Sequence, residues 1–473
     1  MSHTVEKIGG ASMSRVNELR DTLFMPGKGD PYGRIFVVSA FGGITNLLLE
    51  HKKSGEPGVY AQFANADNDH SWHDALNRVV AAMTAAHRAV LEHPVDLERA
   101  DAFVRDRTEG ARDCLIDLHR LCAYGHFRLS EHMLQIRELL SGLGEAHSAF
   151  VTALMLQRAG LNARCVDLSG WRDKADLTLD ERITSALARI DTAVEMPIVT
   201  GYAQCREGLM REFDRGYSEV TFSRLAALTH AREATIHKEF HLSSADPNLV
   251  GRHAVRKLGW TNYDVADQMS NMGMEAIHPK AAKILRQAEV PLRVTNAFEP
   301  DDPGTLIDDQ PAGEPAVEIV TGLDIIALQV FEQDMVGVKG YDETILDVLR
   351  RHNVRIVSKV SNANTITHYL DSSLKVMRRV EKDLSRHYPS ARISAQPMAM
   401  VSVIGRDLSG LSILTRGLRT IADADLTAIG ASQGPRNVDV QFIFERDAPQ
   451  PTIRALHRTF IEGAEAGAMK QVA

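Results

Sequence analysis

The sequence has few cysteines and no strong excess of charge. Four cysteines occur in 473 residues, Cys114, Cys122, Cys165 and Cys205, and no two of them have CxxC spacing. The small number of cysteines and the lack of CxxC spacing indicate neither a zinc site nor a disulfide framework. They favour a reducing, cytoplasmic environment. The formal net charge of −8 is small for this length. The composition therefore argues against a general nucleic-acid-binding protein.

Long apolar runs are missing as well. The N-terminus has no apolar signal core, and no uninterrupted apolar stretch approaches membrane-spanning length, so we expect no membrane association. The remaining composition, 44% hydrophobic and 25% charged residues, is typical of a soluble globular protein. Because 473 residues exceed one ordinary core, we expect two to four domains.

The first informative stretch is Val5-Glu6-Lys7-Ile8-Gly9-Gly10-Ala11-Ser12-Met13. It predicts a short strand, then two glycines, and a helical pattern continues to Leu23. Glycines between a strand and a helix let backbone N–H groups face an anion, since no Cβ blocks the approach. Lys7 adds a positive charge at the strand end. The pattern fits a nucleotide phosphate site, although a plain tight turn produces the same pattern.

A second strand and a second glycine turn follow. Ile35–Val38 is a continuous apolar run, which is typical of a buried parallel strand, and it leads through Ser39 into Gly42-Gly43 and Thr45. Ligands of open α/β sheets bind at the carboxyl ends of the strands. Two such turns on consecutive strands therefore predict one binding cleft.

The middle of the chain combines a helical region with renewed α/β alternation. Residues 72–158 have a helical pattern, and Glu145 lies within it. Further strands are predicted at 163–167, 196–202 and 234–239. A densely charged loop at 208–221 precedes a predicted helix at 222–229. The loop indicates an electrostatic role, and a solvated loop with Ser218 as helix cap is the alternative.

The last third of the chain has a different pattern. Residues 308–316 have the composition of a linker. A strand-helix-strand-strand-helix unit then occurs twice, in 311–395 and in 396–473. The sequence therefore predicts two small α/β modules after a larger domain at 1–310.

Together these segments resemble the aspartate kinases of the amino-acid kinase superfamily. The family's opening Lys-Phe-Gly-Gly-Thr-Ser matches Lys7-Ile8-Gly9-Gly10-Ala11-Ser12, and its second glycine turn is similar to Ser39–Asn46. Four further motifs match in the family's order, at Gly144-Glu145, Arg215-Gly216-Tyr217-Ser218-Glu219, Asp246-Pro247 and His278-Pro279. The resemblance covers essentially the whole chain. The sequence of residues 237–247 resembles the branch of the family that is associated with ectoine biosynthesis.

The resemblance implies a fold and a regulatory arrangement. The fold is a three-layer αβα amino-acid kinase domain with a mainly parallel sheet, followed by two ferredoxin-like ACT domains. In this family the second ACT domain is typically inserted within the first, so the segment after Val438 is a candidate to complete the first one. An amino-acid effector at the ACT domains is implied, with threonine, lysine or none left open. Unpaired ACT edges favour a homodimer or homotetramer.

The implied reaction transfers the γ-phosphoryl group of ATP, bound with Mg²⁺, to the side-chain carboxylate of L-aspartate. The product is 4-phospho-L-aspartate, the first step of the aspartate pathway towards lysine, threonine, methionine or ectoine. The carboxylate nucleophile is already ionised at neutral pH, so no strong general base is required. The protein must hold two anions together and neutralise charge on the transferring oxygens. Mg²⁺ arrives with the nucleotide, and no metal site of the protein's own is predicted.

The resemblance also implies the site residues. Lys7, Glu145 and Arg215 are the expected catalytic residues, with Lys7 as the main electrostatic catalyst. The expected substrate contacts are Ser39, Thr45, Glu145, Arg215, Ser218 and Glu219. The expected nucleotide contacts are Lys7, Gly9, Gly10, His237, Lys238 and Asp246. These residue types fit aspartate as a substrate, because arginine binds a carboxylate bidentately and carboxylates bind the substrate ammonium.

The nucleotide side departs from the family pattern. His237-Lys238 stands where most members have Thr-Asp, Ser243 replaces a frequent tyrosine, and Glu275 replaces a lysine. We interpret the changes as a compensated charge swap, in which Lys238 takes over phosphate contact and Glu275 balances it; the alternative is relaxed nucleotide binding, or none. Two alternatives stay open: a kinase for another amino-acid carboxylate, such as a glutamate-type kinase, and a non-catalytic amino-acid sensor that kept the fold.

Overall fold

The computed structural model describes residues 3–25, 30–52, 54–65, 70–213, 216–274, 277–310, 313–446 and 449–463. The chain divides into two compact units. The first comprises Met1–Leu242 and Ile277–Asp309, and the second comprises Ser243–Ala276 and Gln310–Ala473. The segment Ser243–Ala276, which the sequence division assigned to 1–310, therefore clusters with the C-terminal part of the chain. The three domain boundaries themselves stay a prediction.

The strands are numbered in chain order. They are β1 (Thr4–Ile8), β2 (Arg34–Val38), β3 (Ala163–Val166), β4 (Met196–Thr200), β5 (Glu233–Lys238), β6 (Trp260–Asn262), β7 (Leu292–Asn296), β8 (Thr305–Asp308), β9 (Ala316–Phe331), β10 (Arg355–Ser361), β11 (Thr365–Asp371), β12 (Arg392–Arg406), β13 (Gly430–Gln433) and β14 (Asp439–Glu445).

The helices are numbered in the same way. They are α1 (Gly10–Met13), α2 (Val16–Leu19), α3 (Ile44–Leu48), α4 (Val59–Ala64), α5 (His70–Val90), α6 (Pro94–Cys122), α7 (Leu129–Arg158), α8 (Leu179–Leu187), α9 (Leu209–Phe213), α10 (Tyr217–Leu228), α11 (Pro247–Val250), α12 (Tyr263–Asn271), α13 (Pro279–Gln287), α14 (Tyr341–Arg351), α15 (Leu374–His387), α16 (Ile413–Asp423) and α17 (Pro449–His457). Short π-helical turns at Arg20–Phe24 and Arg458–Glu462 and a 3₁₀ turn at Gln333–Met335 complete the helical elements.

The first unit is built on a mainly parallel sheet. Its strands lie in the order β3-β4-β2-β1-β5-β7-β8. All neighbouring pairs run parallel except β7 and β8. β1 is central and every residue of it is buried, since β2 and β5 flank it on both sides. The predicted αβα fold with a mainly parallel sheet is confirmed.

Local sequence signals explain where several helices begin. α8 starts with a capping box, in which the Thr178 side chain accepts from the Glu181 N–H and the Glu181 carboxylate accepts from the Thr178 N–H. α13 starts with His278 as its N-cap and Pro279 in the first turn, where the missing N–H of proline costs nothing. These caps fix the helix starts that border the sheet.

α7 is the central helix of the first unit. Among the described residues it alone is long and apolar enough to cross a membrane by length and composition, and 89% of its most apolar window is buried inside the protein. It packs against β3, β4 and α6. Gly144 permits close packing, because a Cβ there would lie 2.9 Å from the Ala40 Cβ. α7 thereby brings Glu145 next to the end of β2.

The second unit is built on an antiparallel sheet with two cores. The strand order is β10-β11-β9-β12-β14-β13, and β9 and β12 pair along nearly their whole length. One core lies under α14 and α15, and the other lies under α16 and α17. Val317 and Val320, at the start of β9, belong to the same core as Phe442 and Ile453. The α14–α15 core is therefore inserted between two parts of the α16–α17 core, which is consistent with paired ACT domains.

Two fully buried histidines link the long helices of the first unit. Nδ1 of His87 on α5 lies 3.2 Å from Nε2 of His147 on α7, and the other His87 nitrogen lies 3.0 Å from Asp101 on α6. Burial lowers the pKa of His147 to about 3. Burial also lowers the pKa of His87, although Asp101 opposes that shift. The pair is therefore packed in its uncharged form.

Acid should weaken this helical packing through His147. The unfolded state takes up a proton on this residue near pH 6.5, whereas the folded state does so only near pH 3. The stabilisation is thus present above about pH 6.5 and is lost as the pH falls towards 3, by about 1.4 kcal/mol between pH 7.5 and 5.5. Urea unfolding at both pH values should show this loss in the wild type, and a correspondingly smaller loss in His147→Leu.

The exposed His126 offers a matched control. His126→Leu should keep the wild-type difference between the two pH values. An equal loss in the wild type and in His147→Leu would contradict the assignment.

Candidate active site

Lys7 lies close to two other predicted site residues, Glu219 and Glu145. It is on β1, its side chain is 9% exposed, and its Nζ lies 3.8 Å from Oε1 of Glu219 on α10. α10 packs directly on β1. This ion pair is about 1 Å longer than a charge-assisted hydrogen bond. The Lys7 ammonium can therefore form a stronger interaction with another partner.

Glu145 is the second charged group of the site. The residue is 2% exposed, and the Ser218 hydroxyl donates to its Oε1 at 2.6 Å. Burial raises the pKa of Glu145 to about 7, while the Ser218 hydrogen bond and the charge of Lys7 act in the opposite direction. The backbone N–H groups of Tyr202 and Ala40 also lie close enough to lower the pKa of this carboxyl. Its second oxygen, Oε2, nevertheless accepts no hydrogen bond of normal geometry from the part of the chain that the structure describes. A buried acceptor without a donor is costly, so this oxygen is suited to a ligand that donates.

Gly201 allows these groups to meet. It follows β4, and its N–H donates to the Val38 carbonyl at the end of β2 at 3.0 Å. A Cβ at this position would lie 2.8 Å from Oε2 of Glu145 and 2.8 Å from the Cβ of Ser218. Any side chain here would therefore push α7 and α10 apart.

α10 begins five residues earlier than the sequence predicts. It starts at Tyr217 instead of 222, and Gly216 is its N-cap without a side-chain hydrogen bond. The alternative interpretation of Ser218 as a helix cap is therefore wrong, since Ser218 lies inside the helix and bonds to Glu145. Glu219 accepts from the backbone N–H of His278 at 2.5 Å, which ties α10 to the start of α13.

The two glycine turns lie next to each other. Gly9 precedes α1 in an extended conformation, and a Cβ on Gly10 would lie 2.9 Å from the carbonyl oxygen of Ala40. Gly43 begins α3 with a φ of +85°, a left-handed conformation that favours glycine. The turn after β1 therefore packs against the backbone that follows β2.

The expected hydroxyl residues of the second turn are near this junction. The Ser39 N–H donates to the Ile8 carbonyl at 3.1 Å, and the Ser39 carbonyl accepts from the Ser148 hydroxyl on α7 at 2.8 Å. Thr45 lies in the first turn of α3 and is half-buried. The structure thus holds Ser39 between β1 and the helix that carries Glu145.

His237 lies on the other face of the sheet from Lys7. Its Nε2 is 2.8 Å from Oε2 of Glu6, and its Nδ1 is 2.8 Å from the Thr295 hydroxyl. Side chains alternate along β1, so Glu6 and Lys7 point to opposite faces. Burial acts to raise the pKa of Glu6, but the Arg34 charge and the hydrogen bonds from His237 and Arg34 hold it far below its usual range. Both ring nitrogens of His237 are therefore engaged by the protein, away from Lys7.

The other expected nucleotide residues are more dispersed. Lys238 is half-buried at the end of β5, with its Nζ 6.0 Å from the centre of the Phe240 ring. Asp246 belongs to the second unit, where its carboxylate accepts from the Asn248 N–H at 2.8 Å and caps α11. Arg215 and Glu275 lie outside the described residues.

Sequence reasoning missed several residues that shape the site. Gly201 lies inside the strand predicted at 196–202, and a glycine within a strand pattern was a signal for a close approach. Glu239 was read only as part of a strand, yet its carboxylate accepts from the Ser12 hydroxyl at 2.5 Å. No local pattern indicates this pairing, because 227 residues separate the two partners.

Comparison with known proteins identifies the family of the chain. The model of the amino acid kinase family matches residues 3–296. Aspartate kinase Ask_Ect of Stutzerimonas stutzeri (strain A1501) is 49% identical over 464 residues, which cover 97% of this chain and 98% of that protein.

Solved structures show the same fold over nearly the whole chain. The crystal structure of E. coli aspartokinase III in complex with lysine and aspartate gives a TM-score of 0.72 at 18% identity, and covers 97% of this chain and 99% of that chain. The structure of the same enzyme with aspartate and ADP gives 0.72 at 17% identity, and covers 98% and 100%. From the family match and the near-full-length relative, the chain belongs to the amino acid kinase family, among the aspartate kinases.

Proposed function

We propose that the protein phosphorylates the side-chain carboxylate of L-aspartate with ATP. The observation that carries the proposal is the meeting of Lys7, Glu145, Ser218 and Glu219 beside two glycine turns at the carboxyl ends of β1 and β2. The relative from S. stutzeri is named an aspartate kinase. Its similarity over nearly the full length also supports the ectoine-associated branch predicted from the sequence.

The chemistry needs charge neutralisation more than proton transfer. A side-chain oxygen of aspartate attacks the γ-phosphorus, the bond from that phosphorus to the β,γ-bridging oxygen breaks, and ADP leaves with the bond's electrons. No proton has to move, since the nucleophile is ionised. Lys7 would face the transferring phosphoryl group, where a fixed positive charge in a buried site stabilises the transition state.

Substrate recognition would use the unpaired acceptor of the site. The substrate ammonium fits Oε2 of Glu145, the buried oxygen without a hydrogen bond from the described residues. A bound cation favours the ionised carboxylate, so aspartate binding would lower the pKa of Glu145. By resemblance, Ser39, Thr45 and Ser218 add hydroxyl contacts and Arg215 binds a carboxylate.

The nucleotide would bind at the first glycine turn. The Gly9-Gly10 backbone and Lys7 suit the phosphates, and Lys238 at the end of the neighbouring β5 adds a second positive charge. Mg²⁺ would be held mainly by the phosphate oxygens, which are the hard ligands it prefers. We further propose that the two-core second unit responds to an amino-acid effector, that the chain forms a homodimer or homotetramer, and that it acts in the cytoplasm.

Acyl phosphate formation tests the proposed reaction directly. With aspartate, Mg-ATP and hydroxylamine, the wild type should form the hydroxamate, and Lys7→Ala should lower kcat by about 100-fold to 1,000-fold, because a charge that stabilises the transition state is lost. Lys174→Ala, an exposed lysine of the first unit, should keep the wild-type rate.

Two results would overturn the proposed reaction. Hydroxamate formed from glutamate but not from aspartate would favour a kinase for another carboxylate. No product with any amino acid would favour a non-catalytic sensor.

The pH dependence of aspartate use should follow Glu145. Because its pKa is raised to about 7 and the ionised form binds the ammonium, kcat/KM for aspartate should rise about tenfold between pH 6 and 8. Glu145→Gln should lower kcat/KM and flatten this rise. Ser218→Ala should move the midpoint to higher pH, since the Ser218 hydrogen bond lowers the pKa. A rise that persists in Glu145→Gln would contradict this role.

Lys238 should contribute to nucleotide affinity. Replacing it with alanine removes a positive charge from the phosphate side, and we expect the Kd of Mg-ADP to rise about tenfold in calorimetric titrations. Lys174→Ala is again the matched control. A Kd equal to that of the wild type would exclude the charge swap.

A further inference from the structure

A hydrogen bond attaches the turn after β1 to the residue that follows β5. Ser12 has no exposed surface, and its hydroxyl donates to Oε1 of Glu239 at 2.5 Å. Glu239 directly follows β5, which pairs in parallel with β1. A hydrogen bond to an ionised acceptor is roughly twice as strong as one between neutral groups. The bond therefore fixes the residues that follow Gly9-Gly10 against the end of β5.

The same short segment is attached on its other side. The Gly42 N–H donates to the Ser14 hydroxyl oxygen at 2.9 Å, which joins the segment to the second glycine turn. The Met13 N–H donates to the Gly9 carbonyl at 2.9 Å and closes the turn itself. Residues 9–14 are thus held between the loop that follows β5 and the loop that follows β2.

We propose that Glu239 is a positioning residue for nucleotide binding, which acts through Ser12 on the glycine turn after β1. The inference rests on the proposed use of ATP. Backbone donors bind a phosphate best when they are already in place, because they then lose little freedom on binding. A carboxylate facing the phosphates directly would repel them, whereas one engaged by Ser12 acts as a fixed acceptor.

This assignment also changes the interpretation of the charge swap. The carboxylate that accompanies Lys238 is its chain neighbour Glu239, which directly follows β5 in the same unit, so Glu275 is not required for compensation. The aspartate lost at position 238 by comparison with the family pattern is replaced one residue later. Its role is to hold the turn, and Lys238 supplies the positive charge at the end of β5.

Substitutions at Glu239 should affect the nucleotide selectively. Glu239→Ala should raise both the ATP KM and the Kd of Mg-ADP about tenfold, the loss expected for one charge-assisted hydrogen bond, and should leave the aspartate KM within twofold. Glu239→Gln keeps an acceptor oxygen and should recover part of the affinity. Ser12→Ala should match Glu239→Ala, and the double variant should be no worse than either, because both remove the same bond.

Glu109→Gln is the matched control, since Glu109 is an exposed carboxylate on α6. Three results would overturn the proposal. They are additive losses in the double variant, equal losses for ATP and aspartate, and a Glu239→Ala protein that behaves like the control. A wild type that binds no Mg-ADP and forms no hydroxamate would instead overturn the proposed function, so the two failures are distinguishable.

Discussion

The burial of one ammonium group among carboxylates is the constraint on which the kinase site depends. Removing the Lys7 charge from water costs several kcal/mol unless other charges compensate it. Glu219 lies at 3.8 Å and Glu145 is close enough for the charge of Lys7 to lower its pKa. Neither contact is a tight pair, and Glu145 keeps one oxygen without a hydrogen bond from the described residues. The site is therefore incomplete in itself, and a ligand with an ammonium and anionic oxygens would satisfy both charges.

Side chains alternate between the two faces of β1, so its neighbouring residues Glu6 and Lys7 have different surroundings. Glu6 faces a network with Arg34, His237 and Thr295 in which every partner is engaged. Lys7 faces Glu219 and Glu145, and its ion pair with Glu219 is long. One face of the strand thus carries a satisfied polar network that fixes β1 between β2 and β5, and the other carries the candidate catalytic lysine. His237 departs from the family pattern, and its place in the polar network on the Glu6 face explains why a histidine fits there.

The parts of the site predicted from sequence alone are those with local signals. Buried apolar runs predicted the positions of β1 and β2, and paired glycines predicted both turns. A buried strand needs consecutive apolar residues and a tight turn favours glycine, so both features are visible within about ten residues of sequence. The contact between Glu145 and Ser218 joins positions 73 residues apart. Family resemblance named both residues as substrate contacts, but nothing in the sequence indicated that they contact each other, since periodicity carries no information on distant partners. The Ser12–Glu239 bond and the His87–His147 pair were not anticipated for the same reason. The start of α10 was misplaced because charged residues at its first turn resemble a loop.

In the second unit, strand continuity couples the two cores. β9 contributes Val320 to the α16–α17 core and Leu328 to the α14–α15 core, and β12 pairs with it through both regions. Close-packed cores change by discrete repacking instead of gradual deformation. A ligand that repacks one core must shift a strand whose other half is buried in the second core. Two modules on separate sheets would lack this connection, so the shared strands are what would transmit a repacking of one core to the other.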